Sequence, residues 1–186
     1  MTKIFENYES PWMNDELSIL RDAAKRFFDK EFVPNKDRWI EQGKVDREAW
    51  NKAGEAGLLC AEIPTQYGGG GGDYRHETVV TEEQLGAGIS GFGNQVHSQI
   101  VAPYLLNYGN EDQKQAWLPK MARGEMVGAI AMTEPNTGSD LQNVKTTAMK
   151  KGDSYIINGA KTYITNGIHA DLVVVVAKTD PNLGAK

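Results

Sequence analysis

The hydrophobic pattern of this chain changes period once, near Glu125, and that change limits the fold more than any other feature. Before it, apolar residues recur at helical spacing; after it, they fall into short runs bounded by turn residues. Val127 to Met132, Thr146 to Lys150, Ser154 to Ile157, Lys161 to Thr165 and Leu172 to Lys178 read as strands. Lys151-Gly152-Asp153 and the pairs Asn158-Gly159 and Asn166-Gly167 supply tight turns, so an antiparallel meander is expected. The predicted fold class is α+β: an N-terminal all-α helical domain over residues 1–125, then an incomplete antiparallel β domain over 126–186. About five strands with no clear closing strand after Asp180 make a small sheet, and the sequence reads as cut short.

In the first part, Leu17, Leu20, Ala24, Phe27 and Phe28 mark a helix from Asn14 to Phe32, with Asp15 and Glu16 in its first turn. Pro34 interrupts it, and a further helical stretch runs through Trp39 and Ile40 to Gly43. Asp46 reads as the N-cap of a helix that carries Trp50 and Ala53 inward and stops at Gly57. The run Gly68 to Gly72 lacks a following Gly-Lys-Ser/Thr and a clear leading strand, so it reads as a flexible connection and not as a phosphate loop. Asp73 or Tyr74 to Leu85 and about Gln95 to Asn107 are the next helices, separated by the small-residue stretch Gly86 to Gly93. His97 has no nucleophile motif to serve and reads as a buried or pocket-lining histidine. Asn110 to Gln113 has the form of a capping box, and Pro119 should kink or restart the helix it opens before Gly124 ends it.

The 186 residues carry a net charge of −5 and no basic stripe, which argues against nucleic acid or an anionic membrane surface as the main partner. The single cysteine, Cys60, excludes an internal disulfide and a cysteine metal cluster, and reads as a small core residue; no metal site is expected. Met1 to Ser10 is polar, with no apolar segment following it as in a signal peptide, and Leu172 to Ala177 is too short to cross a bilayer. A cytoplasmic protein with no integral membrane segment is the expectation.

Two stretches carry the chemistry. Ala131 to Asp140, Ala-Met-Thr-Glu-Pro-Asn-Thr-Gly-Ser-Asp, leaves an apolar run and enters a turn in which Gly138 allows close backbone approach and Ser139 adds a hydroxyl donor. Gly159 to Gly167, Gly-Ala-Lys-Thr-Tyr-Ile-Thr-Asn-Gly, is polar and aromatic, and as a strand it would place Tyr163 and Thr165 on one face. A flat heteroaromatic cofactor joined to a phosphate needs both surfaces: in-line backbone groups for its ring edge, an aromatic wall, and an anion-binding turn.

Together, Thr-Glu-Pro-x-x-Gly-Ser-Asp and Asn-Gly-x-Lys-x-aromatic-Ile-Thr-Asn-Gly resemble the flavin-binding signature of the acyl-CoA dehydrogenases. The resemblance extends back through Gln113 to Glu125, Tyr108-Gly109 and the glycine run. It implies FAD as cofactor and dehydrogenation of an acyl-CoA thioester to the trans-2-enoyl-CoA. Ile130, Ala131, Met132 and Thr133 would run along the flavin's pyrimidine edge. Gly138 and Ser139 would approach the pyrophosphate, Ser139 also the substrate's pantetheine end. Tyr163 would form the aromatic wall opposite the substrate, with Ile164 and Thr165 beside the ring. Gly91 and Gly93 would leave room for a long or bulky acyl chain.

The family's base, a Glu, is expected in a C-terminal helical domain that this sequence lacks, so no catalytic residue is assigned and the fragment alone should be inactive. Glu134 reads as a structural residue of the turn. The implied partners are the acyl-CoA substrate, an electron-transfer flavoprotein and further copies of the chain, as a dimer or tetramer. Within the family the local resemblance is strongest to the long-chain type, through Ala-Met-Thr-Glu-Pro and Leu141-Gln142. Asn136-Thr137 replaces the common Gly-Ala. Two other readings stand beside this one: an acyl-CoA oxidase, and a non-catalytic binding or scaffold protein of the same fold.

Overall fold

The structure is a computed structural model that describes residues 10–181; the expectations for residues 1–9 and 182–186 lie outside the described residues. Helices come first: α1 (Asp15–Phe27), α2 (Lys36–Gln42), α3 (Arg47–Glu55), α4 (Tyr74–Gly86), α5 (Asn94–Val96), α6 (Ala102–Tyr108) and α7 (Glu111–Ala122). Four strands follow: β1 (Gly128–Ala131), β2 (Thr147–Lys151), β3 (Ser154–Asn158) and β4 (Leu172–Val175). The α+β class holds, with the helix-to-strand change where the hydrophobic period shifts.

Capping decides several helix starts. The Asn14 side chain accepts from Leu17 N–H, Asp73 and Asn110 each open a capping box, and Asp15 and Glu16 meet the positive end of α1. The first helix does not run unbroken to Phe32: α1 passes into a π turn over Phe28–Phe32, which rotates Phe28 and Phe32 into the core. A second π turn, His97–Val101, joins α5 to α6. Pro119 neither breaks nor restarts α7, which is continuous to Ala122. Asp46 sits at the N-cap of α3 but spends its carboxylate on Arg38, 2.5 Å away.

One core packs Phe28, Phe32, Trp39, Trp50 and Phe92, with Phe32 edge-on to Trp39 and Phe92. A second joins Ile63, Tyr67, Val101, Leu118 and Met121 to Ile130 at the edge of the strand region. The glycine run is an ordered turn and not a slack connection. Gly70, Gly71 and Gly72 donate to the carbonyls of Cys60, Ile63 and Ala61 at 3.2, 2.9 and 2.9 Å. A Cβ on Gly69 would lie 2.6 Å from Ile63 Cβ.

The strands do not form the expected meander. β1 pairs in parallel with β4, Gly128 opposite Leu172 and Ala131 opposite Val175; β2 and β3 form a separate antiparallel hairpin. Lys178, just past β4, bridges in parallel to Thr147. The expected strand Lys161 to Thr165 is absent: Lys161 to Ile164 are irregular with a bend at Tyr163, and a turn begins at Thr165. Tyr163 within it, and Asn166 directly after it, take φ of 56° and 66°, which a strand does not allow.

Candidate functional site

The site grows from the edge of β1. Odd residues of this strand face β4, the Ala131 carbonyl accepting from Val176 N–H at 3.0 Å. Even residues turn their N–H and C=O to the opposite edge, which no described strand covers. At Gly128 that edge is satisfied by side chains: Gly128 N–H donates to His97 Nδ1 at 3.0 Å, and its carbonyl accepts from Asn166 Nδ2 at 3.1 Å. At Met132 the carbonyl accepts from Lys161 Nζ at 2.9 Å. Between these pins, the N–H and C=O of Ile130 and the N–H of Met132 have no hydrogen-bond partner among the described residues. The Thr133 hydroxyl has none either, while the Thr133 carbonyl accepts from Thr162 N–H at 3.0 Å.

Glu134 organises the strand's exit. Its carboxylate accepts from Lys145 N–H at 2.6 Å, Thr146 N–H at 2.9 Å, Thr146 Oγ1 at 2.5 Å and Lys161 Nζ at 2.9 Å. The Thr146 hydroxyl foremost, with the two backbone N–H groups and Lys161, holds this carboxyl down at about 2. A carboxylate engaged in this way serves to hold the corner together, and its low basicity suits it poorly to taking a proton from carbon. Lys161 thereby ties the 159–167 turn to both ends of the Met132–Glu134 corner. The two side chains are 11% and 4% exposed, which makes this pair buried where the other ion pairs among the described residues have at least one partner partly or largely exposed.

Beyond the corner, Glu134 and Thr137 exchange backbone bonds at 2.9 and 3.0 Å, and Thr137 Oγ1 donates to the Asn143 carbonyl. Gly138 and Ser139 lie exposed on this turn, Gly138 with open space where a Cβ would be. On the other side Tyr163 is 91% exposed while its backbone takes the left-handed conformation, a costly arrangement with no packing to maintain it. Ile164 is half-buried and Thr165 exposed, both lining a groove of about 310 Å³ with Gly91, Gly93, Val45 and His169.

The glycines of the expected acyl pocket differ. Gly91 faces open space and also lines a neighbouring cleft of about 230 Å³ floored by Trp39, Ile40 and Ile89. Gly93 is buried beneath the turn: a Cβ there would strike Asn166 Oδ1 and come within 2.7 Å of Thr165 Cγ2. Gly93 therefore admits the turn itself, and its carbonyl accepts from Asn166 Nδ2 at 2.8 Å.

Several anchors of this turn escaped sequence reasoning. Arg47 donates to the carbonyls of His169 and Glu125 at 2.9 and 2.7 Å and pairs with Asp171 at 2.8 Å; Asp171 in turn accepts from Val127 N–H. His169 Nε2 donates to the Val45 carbonyl at 2.8 Å. Lys161 and Asn166 stand inside the quoted signature, where their polar side chains were the available signal; Arg47 and Asp171 gave none. His97 is fully buried and neutral, pushed down to about 4 by desolvation.

The chain is similar to known proteins over nearly all of its length. The family model for the acyl-CoA dehydrogenase N-terminal domain matches residues 14–125, and that for the acyl-CoA dehydrogenase middle domain matches 129–186. The long-chain specific acyl-CoA dehydrogenase, mitochondrial, of Sus scrofa is 46% identical over 167 residues, 90% of this chain and 39% of the relative. The crystal structure of an acyl-CoA dehydrogenase from Geobacillus kaustophilus superposes with a TM-score of 0.91 at 47% identity, over 94% of this chain and 46% of that one. An acyl-CoA dehydrogenase from Bacillus anthracis, solved in complex with FAD, gives 0.86 at 34% identity, over 96% and 31%. The chain thus spans less than half of the length of these proteins, and over nearly all of its own length it belongs to the acyl-CoA dehydrogenase family.

Proposed function

We propose that this chain supplies the helical layer and the flavin edge of an FAD-dependent dehydrogenase that oxidises a medium- to long-chain acyl-CoA thioester to the trans-2-enoyl-CoA. The observation that carries the reading is the open stretch of β1 at Ile130 to Met132, a donor–acceptor–donor row bracketed by pinned residues. That row fits the alternating acceptors and donor of a flavin pyrimidine edge, and the unpartnered Thr133 hydroxyl lies at its end. The exposed Tyr163 ring offers a flat apolar wall on the turn that Lys161 holds beside the same corner. Residues and group fit.

When bound, the flavin would accept the hydride from the substrate's β carbon. The chain's own part is orientation: Ile130, Met132 and Thr133 hold the ring edge, Ala131 keeps β1 on β4, and Tyr163, Ile164 and Thr165 close one side. Gly138 and Ser139 present an N–H-rich turn and a free hydroxyl to the pyrophosphate and to the pantetheine of the substrate. Gly91 opens onto the apolar cleft where an acyl tail would lie. With Glu134 engaged as it is, the base for the α proton comes from outside these residues, from a C-terminal helical domain. These residues alone are then inactive.

The reading includes transfer of electrons to an electron-transfer flavoprotein, a homo-oligomeric enzyme and a cytoplasmic home. Among the described residues no helix is long and apolar enough to cross a membrane. The test is anaerobic addition of a saturated long-chain acyl-CoA to the protein as its own cells make it. Loss of the oxidised flavin absorption with formation of one enoyl-CoA per flavin is expected; a flavin that stays oxidised with every saturated chain length refutes the assignment.

A further inference from the structure

His97 has no part in holding the flavin as proposed above, yet it is a fully buried side chain bonded directly to the flavin-edge strand. Its tautomer is fixed by its partners. Gly128 N–H can only donate, so Nδ1 is bare; the Met121 carbonyl, 3.2 Å from Nε2, can only accept, so Nε2 carries the proton. The ring thus joins the π turn His97–Val101, the end of α7 and the first residue of β1. It rests against Trp50 with ring centroids 5.2 Å apart. The other backbone group of Gly128, its carbonyl, is taken by Asn166, whose amide also holds the Gly93 carbonyl. One residue of β1 is therefore gripped on the same edge by a side chain from the helical layer and a side chain from the Tyr163 turn. Two residues further along that edge begins the open row at Ile130.

We infer that His97 and Asn166 are paired positioning residues for the flavin: by filling both backbone groups of Gly128 they set the height and tilt of the open β1 edge relative to the Tyr163 turn. The inference rests on the flavin reading of that edge. A strand edge carries its ligand register through the peptide planes next in line, so a loosened Gly128 displaces the donors at Met132 and Thr133 although neither His97 nor Asn166 touches the ligand.

The test compares His97→Gln with His97→Asn in the protein as its own cells make it, purified with its flavin. Asn carries its carbonyl oxygen near the position of Nδ1 and keeps an acceptor for Gly128; Gln places its amide near Nε2 and leaves Gly128 N–H bare. For His97→Gln we expect FAD to bind about tenfold more weakly, equivalent to about 1.4 kcal/mol, and the visible spectrum of the bound flavin to shift. His97→Asn should keep the wild-type spectrum although it loses the Met121 bond and comparable thermal stability. Asn166→Asp, which tolerates positive φ but loses the donor, should reproduce the spectral shift and serves if the His97 variants do not fold. Wild-type affinity and spectrum in His97→Gln and Asn166→Asp overturn the inference, as does weakening that is equal in His97→Gln and His97→Asn and follows thermal stability alone. A wild-type protein that binds no FAD removes the flavin reading and this inference with it, whereas bound FAD indifferent to the variants removes only the positioning role.

Discussion

Replacing Glu77 by Gln should reverse part of the protein's pH dependence. Glu77 sits on α4 with its side chain fully buried; Oε1 accepts from Glu62 N–H at 3.3 Å and Oε2 has no partner. Burial, the largest influence, outweighs the backbone N–H groups and pushes this carboxyl from 4.5 up to about 7. The sign follows directly. Below 4.5 both folded and unfolded chains hold the proton; between 4.5 and about 7 only the folded chain does, so stability falls as pH rises; above about 7 both are ionised and the full cost stands. A separation of this size costs the folded state about 3 kcal/mol over the whole window, of which about 2 kcal/mol falls between pH 5 and pH 8. Gln keeps the shape and the acceptor for Glu62 but does not titrate, and its NH₂ adds a cost that is the same at both pH values. Urea unfolding of both proteins at pH 5 and pH 8 gives the result as a difference in which all other titrating groups cancel. The variant should gain about 2 kcal/mol on the wild type between the two conditions. An unchanged difference would refute the claim that Glu77 is ionised at a cost in the folded protein.

Lys161→Met removes the cation that joins Glu134 to the Met132 carbonyl, and should weaken FAD binding about tenfold as the Tyr163 turn loosens, measured by flavin fluorescence on titration. Tyr163→Gly removes an exposed ring and a left-handed backbone strain at once: thermal stability should hold or rise by about 1 kcal/mol while flavin affinity falls. Gly69→Ala should cost about 2 kcal/mol or more in chemical denaturation, because the new methyl meets the Ile63 backbone carbonyl. A flexible connection would tolerate it.

What the sequence revealed follows the range of the forces involved. The capping box at Asn110 and Gln113 is written within four residues and reads directly, as does the change of period at Glu125. The π turns at Phe28 and His97 answer to packing across the core, which local spacing does not encode. Lys161 to Thr165 has the composition of a strand, but its backbone is held by long-range bonds: Thr162 N–H to Thr133, Lys161 to Glu134, Asn166 to Gly93 and Gly128. Those bonds override local propensity and leave Tyr163 standing free where a strand would have turned it against a neighbour. The parallel pairing of β1 with β4 is equally non-local, since 40 residues of the chain lie between the strands and no period records their direction. Candidate site residues could be named from the signature, where their side-chain types are written; the geometry that exposes the β1 edge was not legible there.

The most direct test of the account is amide hydrogen exchange at single-residue resolution, on the protein as its own cells make it, with FAD bound and after its removal. The open edge predicts that Ile130 and Met132 exchange markedly more slowly with FAD bound, while Gly128, already bonded to His97, changes little. FAD that binds without slowing Ile130 or Met132 would contradict the assignment of β1 as the flavin edge.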